Sequence, residues 1–101
     1  MASSRSYLQY VLDQLSFLDG ISHRPMMGEY LLYYQGTLFG GIYDNRFLIK
    51  STVSARRLLP YAVMESPYDG AKEMILITNT DREVLSELIP AVTADLMNKK
   101  G

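Results

Sequence analysis

Apolar positions near the start of the chain recur with helical spacing. Leu8, Val11, Leu12, Leu15 and Leu18 fall on one stripe, which predicts a helix over residues 4–18. Ser3 or Ser4 can accept from the free backbone N–H groups at its start. Asp19-Gly20 closes it, because glycine takes the left-handed conformation of a helix stop. The spacing then changes from 3.6 to two. Strands are predicted at Tyr30–Tyr34, Thr37–Tyr43 and Arg46–Ser51. Gln35-Gly36 and Asp44-Asn45 are two-residue loops whose residue types tolerate the positive φ of tight hairpins. Residues 22–26 are extended at most, since Pro25 biases Arg24 away from helix.

Residues 52–59 read as a short helix stopped by Pro60. Two further strands follow, at Tyr61–Ser66 and at Glu73–Thr78, joined by the turn chemistry of "SPYDG". Thr80 and Glu83 have the spacing of a capping box for a last helix. Leu85, Leu88, Ile89, Val92 and Leu96 form its apolar stripe, and Pro90 removes one of its backbone bonds. Asn98–Gly101 reads as a frayed basic end. The resulting order, α-β-β-β-α-β-β-α, predicts an α+β fold of two layers in a single domain over residues 1–101. An antiparallel sheet carries the helices on one face.

That architecture leaves a question about the other face. Strict alternation points Tyr30, Leu32 and Tyr34 one way, and Glu29, Leu31 and Tyr33 the other. It sets Leu38 and Ile42 against Phe39 and Tyr43, and Phe47 and Ile49 against Leu48. Both faces carry large apolar or aromatic groups, and helices cover only one. A wet second face would be an apolar patch of roughly several hundred Å², too large for a typical monomer. Tyrosine suits a face that meets a partner, because it buries a ring and keeps a hydroxyl. The expectation is a homodimer, with Tyr30, Tyr33, Tyr34, Phe39 and Tyr43 as candidate contact residues. The competing expectation is that loops of the same chain wrap the face. Gly40 and Gly41 fall mid-strand, which signals a bulge or a close backbone approach.

Composition narrows the chemistry. With 101 residues, 48% of them hydrophobic and 21% charged, the chain can bury its own core. It has no cysteine, so thiolate catalysis, cysteine-ligated metals and disulfides are excluded. The N-terminal stretch has no signal-type apolar region, and no run is long enough to span a membrane. A cytoplasmic location is the default expectation. The net charge is −1, without the basic excess of a phosphate-binding protein. "GTLFGG" lacks the Lys-Ser/Thr of a phosphate loop. His23, the one histidine, has no constellation to activate it and reads as a surface or hydrogen-bonded residue. Arg24 and Glu29 fall near it around a turn, and an ion pair between them would be structural first. Arg56-Arg57 is the basic pair inside the fold, a solvated helix face or a contact for an acidic partner. No cofactor or metal is implied, and the chain reads as non-enzymatic.

The segment "RPMMGEYLLYYQGTLFGGIYDNRFLIK" resembles the signature region of the TfoX/Sxy N-terminal domain family. That family has an Arg-x-Met-Phe-Gly-Gly stretch, a Tyr-rich strand, a polar-Gly turn, a Phe-Ala-type strand, an Asp/Asn turn and a strand ending Leu-x-Lys. Arg24, Met26, Gly28, Tyr34, Gly36, Phe39, Asp44, Leu48 and Lys50 occupy these places. Met27 and Glu29 stand where the family usually has Phe and Gly. The resemblance covers roughly residues 5–97, and the chain looks like the stand-alone form. It implies a secretion-chaperone-like α+β fold in a bacterial cytoplasmic protein, related to positive regulators of natural competence. It marks Arg24, Met26, Gly28, Gly36, Gly40, Gly41 and Lys50 as structural positions.

The expected function is a regulatory protein-interaction module, dimeric, with a transcription-associated protein as a further partner. Direct DNA reading is disfavoured by the charge. Two alternatives stand beside it. One is a nucleic-acid binder using Arg24, Lys50, Arg56 and Arg57. The other is a small-molecule binder with a Tyr-lined pocket between sheet and helices.

Overall fold

The computed structural model describes residues 3–98. Most of the expected basic end, beyond Asn98, lies outside the described residues. Helix α1 spans Arg5–Gln14. Ser4 caps it, its hydroxyl accepting from the Tyr7 N–H at 3.1 Å. The helix ends four residues before Leu18, but Leu15 stays buried and Phe17 and Leu18 still pack on the core. Gly20 then turns the chain with φ +100°.

Six antiparallel strands follow: β1 (Ile21–Met26), β2 (Glu29–Tyr34), β3 (Thr37–Tyr43), β4 (Arg46–Ile49), β5 (Met64–Glu65) and β6 (Met74–Leu76). Their order in the sheet is β1-β2-β3-β4-β6-β5. Helix α2 (Val53–Leu58) connects β4 to β5, and α3 (Arg82–Asn98) closes the chain. The fold is therefore α+β, an antiparallel sheet with helices. It has one strand more than the sequence pattern predicted. That strand is β1, which contains Pro25. Proline is tolerated there because β1 is an edge strand and its missing N–H costs no ladder bond.

Three two-residue hairpins join the first four strands, all with positive φ at both central residues. Asp44 and Asn45 have φ of 52° and 57°, and Gln35 and Gly36 have 50° and 85°. The third, Met27-Gly28, has 52° and 85°. Its leading methionine is an unusual choice for the left-handed region, and Met27 is 97% exposed.

The core lies between one face of the sheet and the helices. Leu8 and Val11 of α1, Leu15 just after it, Ala55 of α2 and Leu85, Leu88, Ile89 and Val92 of α3 pack with Leu32, Ile42, Phe47, Ile49 and Ile75 of the strands. Helix α3 runs unbroken through Pro90. Its start differs from the expected capping box. The helix begins at Arg82, so the carbonyl of Asp81 takes the first helical bond, from Leu85 N–H. That places Glu83 one position too early to reach back to Thr80. The Thr80 hydroxyl pairs instead with that of Tyr10, at 3.3 Å.

Phe39 breaks the expected alternation. Leu32 pairs with Gly40 and Tyr33 with Leu38, so the register slips between them and Phe39 is left over. Such a β-bulge lets adjacent residues face the same way. Phe39 turns inward and is fully buried beside Ile42. The two glycines beside it are required by close approach. A Cβ on Gly40 would run into Leu48 O and Ile49 Cα. A Cβ on Gly41 would lie 2.7 Å from Tyr30 O and 2.7 Å from the Tyr43 ring.

Candidate functional site

The pairing registers decide which residues share the face away from the helices. Arg24 pairs with Leu31, Leu31 with Gly41, Gly41 with Leu48, and Leu48 with Leu76. Directly paired residues lie on the same side, so this row crosses the sheet from β1 to β6. Tyr33 and Leu38 form a neighbouring pair on the same face. Tyr43 and Arg46 form another.

The two halves of this face have different surroundings. On the β4 side, Tyr43 and Leu48 are buried although neither belongs to the core beneath the helices. The segment following β5 covers them. Arg46 reaches along the face to Glu65 Oε1 at 2.8 Å, and donates to Ser66 O and Pro67 O, both at 3.2 Å. Arg46 pairs with Tyr43, whereas Glu65 pairs with Met74 beyond Leu48. The Arg46 bonds hold the start of the loop against the outer face beside Tyr43. Pro67 of this loop is buried, and the Tyr68 ring sits 6.4 Å from that of Tyr43. This covering desolvates the Tyr43 hydroxyl, and its pKa rises, with the neighbouring Tyr68 adding to the effect.

On the β1–β2 side no such strap is formed among the described residues. Leu31, Tyr33 and Leu38 are half-buried. Arg24 stacks over the Tyr33 ring with its guanidinium carbon 5.9 Å from the centroid. Arg24 and Glu29 do not form an ion pair. Glu29 instead accepts from the Asp44 N–H at 3.1 Å and from the Ser3 hydroxyl. Asn45 Oδ1 in turn accepts from the Ser4 N–H at 2.9 Å. Glu29 thus ties the chain start to two hairpins, a role its place in the sequence did not reveal.

The candidate contact residues are dispersed by this geometry. Tyr30 and Tyr34 lie on the helix side and pack against the core, and Phe39 is inside it. Tyr43 lies on the outer face but under the loop. Tyr33 alone of the five is on the open part. The basic candidates do not form one surface either. Arg24 is on the far edge strand. Arg56 bonds the Ser51 hydroxyl at 2.9 Å and shares a groove with Lys50 and Tyr43. The charge of Arg57 adds a minor lowering of the Asp95 pKa. The main cause of that shift is the bond from Ser54 N–H to Asp95 Oδ2, at 2.8 Å. Asp95 thereby ties α3 to the first turn of α2, a structural connection with no sequence motif.

Among the described residues no group of three or more His, Cys, Asp or Glu is placed to hold a metal ion. No helix described is long and apolar enough to cross a membrane.

No family model matches the chain, and no solved structure does. The chain is similar to an uncharacterized 12.7 kDa protein in the trpE 5' region of Spirochaeta aurantia, with 36% identity over 73 residues. The match takes in 72% of this chain and spans 64% of the length of that protein.

Proposed function

We propose that this domain is a non-enzymatic regulatory module that works through protein–protein contact and pairs with a second copy of itself. The observation that carries the reading is the half-buried strip Leu31, Tyr33 and Leu38 beside the exposed Arg24. It is apolar, rimmed by a cation and centred on a tyrosine, the composition of an interface core rather than of ordinary surface. It also adjoins the open edge of β1, so a two-fold partner would meet a self-complementary patch. The resemblance to the TfoX/Sxy N-terminal domain supports a regulatory role with a transcription-associated partner. The dispersal of Arg24, Lys50 and Arg57 favours protein contact over a duplex-binding surface.

Multi-angle light scattering at micromolar concentration tests this. The wild-type chain is expected at twice its 11.5 kDa mass. Leu31→Asp is expected to be folded and monomeric, because it places an unpaired charge in the interface. A wild-type monomer across the concentration range would refute the pairing.

A further inference from the structure

The loop that straps the outer face also builds a groove. Tyr43, Lys50, Arg56, Tyr68, Lys72 and Glu73 are among the residues that line it. The volume is about 640 Å³, inside the range of small-ligand sites. Three cations face one carboxylate here, in a chain whose net charge is −1. Among the described residues the ion pair is Arg46–Glu65, so none of the three cations has a carboxylate at salt-bridge distance. The Arg56 guanidinium is steadied by the Ser51 hydroxyl, at 2.9 Å. Tyr68 is 61% exposed, and its ring is tilted 57° to that of Tyr43.

We propose that this groove binds a small phosphorylated ligand with a planar ring, of the nucleoside-phosphate class. Arg56 offers a fork of donors that matches phosphate oxygens, and Lys50 and Lys72 supply charge around it. The exposed Tyr68 face offers a stacking surface for the ring. The site is separate from the Leu31–Tyr33–Leu38 strip, so occupancy does not depend on pairing. It is lined by Tyr43 and Met74 of the sheet, Arg56 of α2 and Leu96 of α3 together with the 67–73 loop.

Isothermal titration of the full chain with a panel of nucleoside 5′-monophosphates, unmodified nucleosides and inorganic pyrophosphate tests the proposal. A nucleotide is expected to bind more tightly than either part alone. Lys50→Gln with Arg56→Gln is expected to weaken it by about tenfold or more, the loss of charge-assisted contacts. Tyr68→Ala is expected to weaken nucleotide binding and leave pyrophosphate unchanged. No heat up to millimolar nucleotide would overturn the site, as would binding indifferent to the double substitution. Binding to single-stranded oligothymidylate that tightens with length would overturn the small-ligand assignment in favour of a strand-binding surface.

Discussion

Phe39 offers the sharpest test of the fold, because alternation and the bulge place it on opposite sides of the sheet. In the structure it is fully buried beneath the helices. Truncating such a residue removes the transfer free energy of the ring and leaves a cavity, a loss of about 3–5 kcal/mol. A domain of 101 residues has a total stability of roughly 5–15 kcal/mol. Phe39→Ala should therefore remove about a fifth or more of it and lower the melting temperature by at least about 12 °C. Were Phe39 on the solvent side, the loss would be about 1 kcal/mol or less. Urea unfolding followed by circular dichroism measures the difference, read as a shift in midpoint at constant slope. Should Phe39→Ala fail to fold, Phe39→Leu keeps most of the volume and should cost about 1–2 kcal/mol. A loss under about 1 kcal/mol for Phe39→Ala would refute the bulge and the inward rotation built on it.

Three further outcomes follow from local geometry. Met27 takes φ 52° and is almost fully exposed. Met27→Asn should therefore stabilise the protein by about 0.5–1 kcal/mol, read by thermal melting, because asparagine suits the hairpin and no packing is lost. Gly41→Ala should destabilise by about 1–3 kcal/mol, since the new methyl meets Tyr30 O and the Tyr43 ring. Asp95 has a folded pKa below its unfolded value, so its contribution is complete above about pH 4 and fades as pH falls through the folded pKa. The stability gap between wild type and Asp95→Asn should therefore be widest at neutral pH and narrow in acid, as measured by urea unfolding at several pH values.

Much of the architecture was legible because local chemistry and pattern agreed. Gln35-Gly36 and Asp44-Asn45 announce their turns by residue type, and the leucine stripes of α1 and α3 announce their buried faces. β1 was not legible as a strand. Its proline argued against a ladder, and its hairpin begins with methionine rather than asparagine or glycine. Alternation failed at Phe39 because a bulge adds a residue that no period records, although Gly40-Gly41 marked the place. The covering of Tyr43 and Leu48 was beyond local reading. It depends on Arg46 clasping a loop some twenty residues away. For the same reason Lys72 and Tyr68 escaped notice as groove residues. They meet Lys50 and Arg56 only when that loop folds back.

The outer face thus has two halves, one strapped by the chain itself and one that we propose meets a second copy. Hydrogen exchange compared between dilute and concentrated protein tests that division most directly. Pairing predicts concentration-dependent protection confined to amides of β1, β2 and the start of β3, with none added in the 66–71 loop. Exchange that does not depend on concentration, or protection that appears instead over the strapped half, would contradict it.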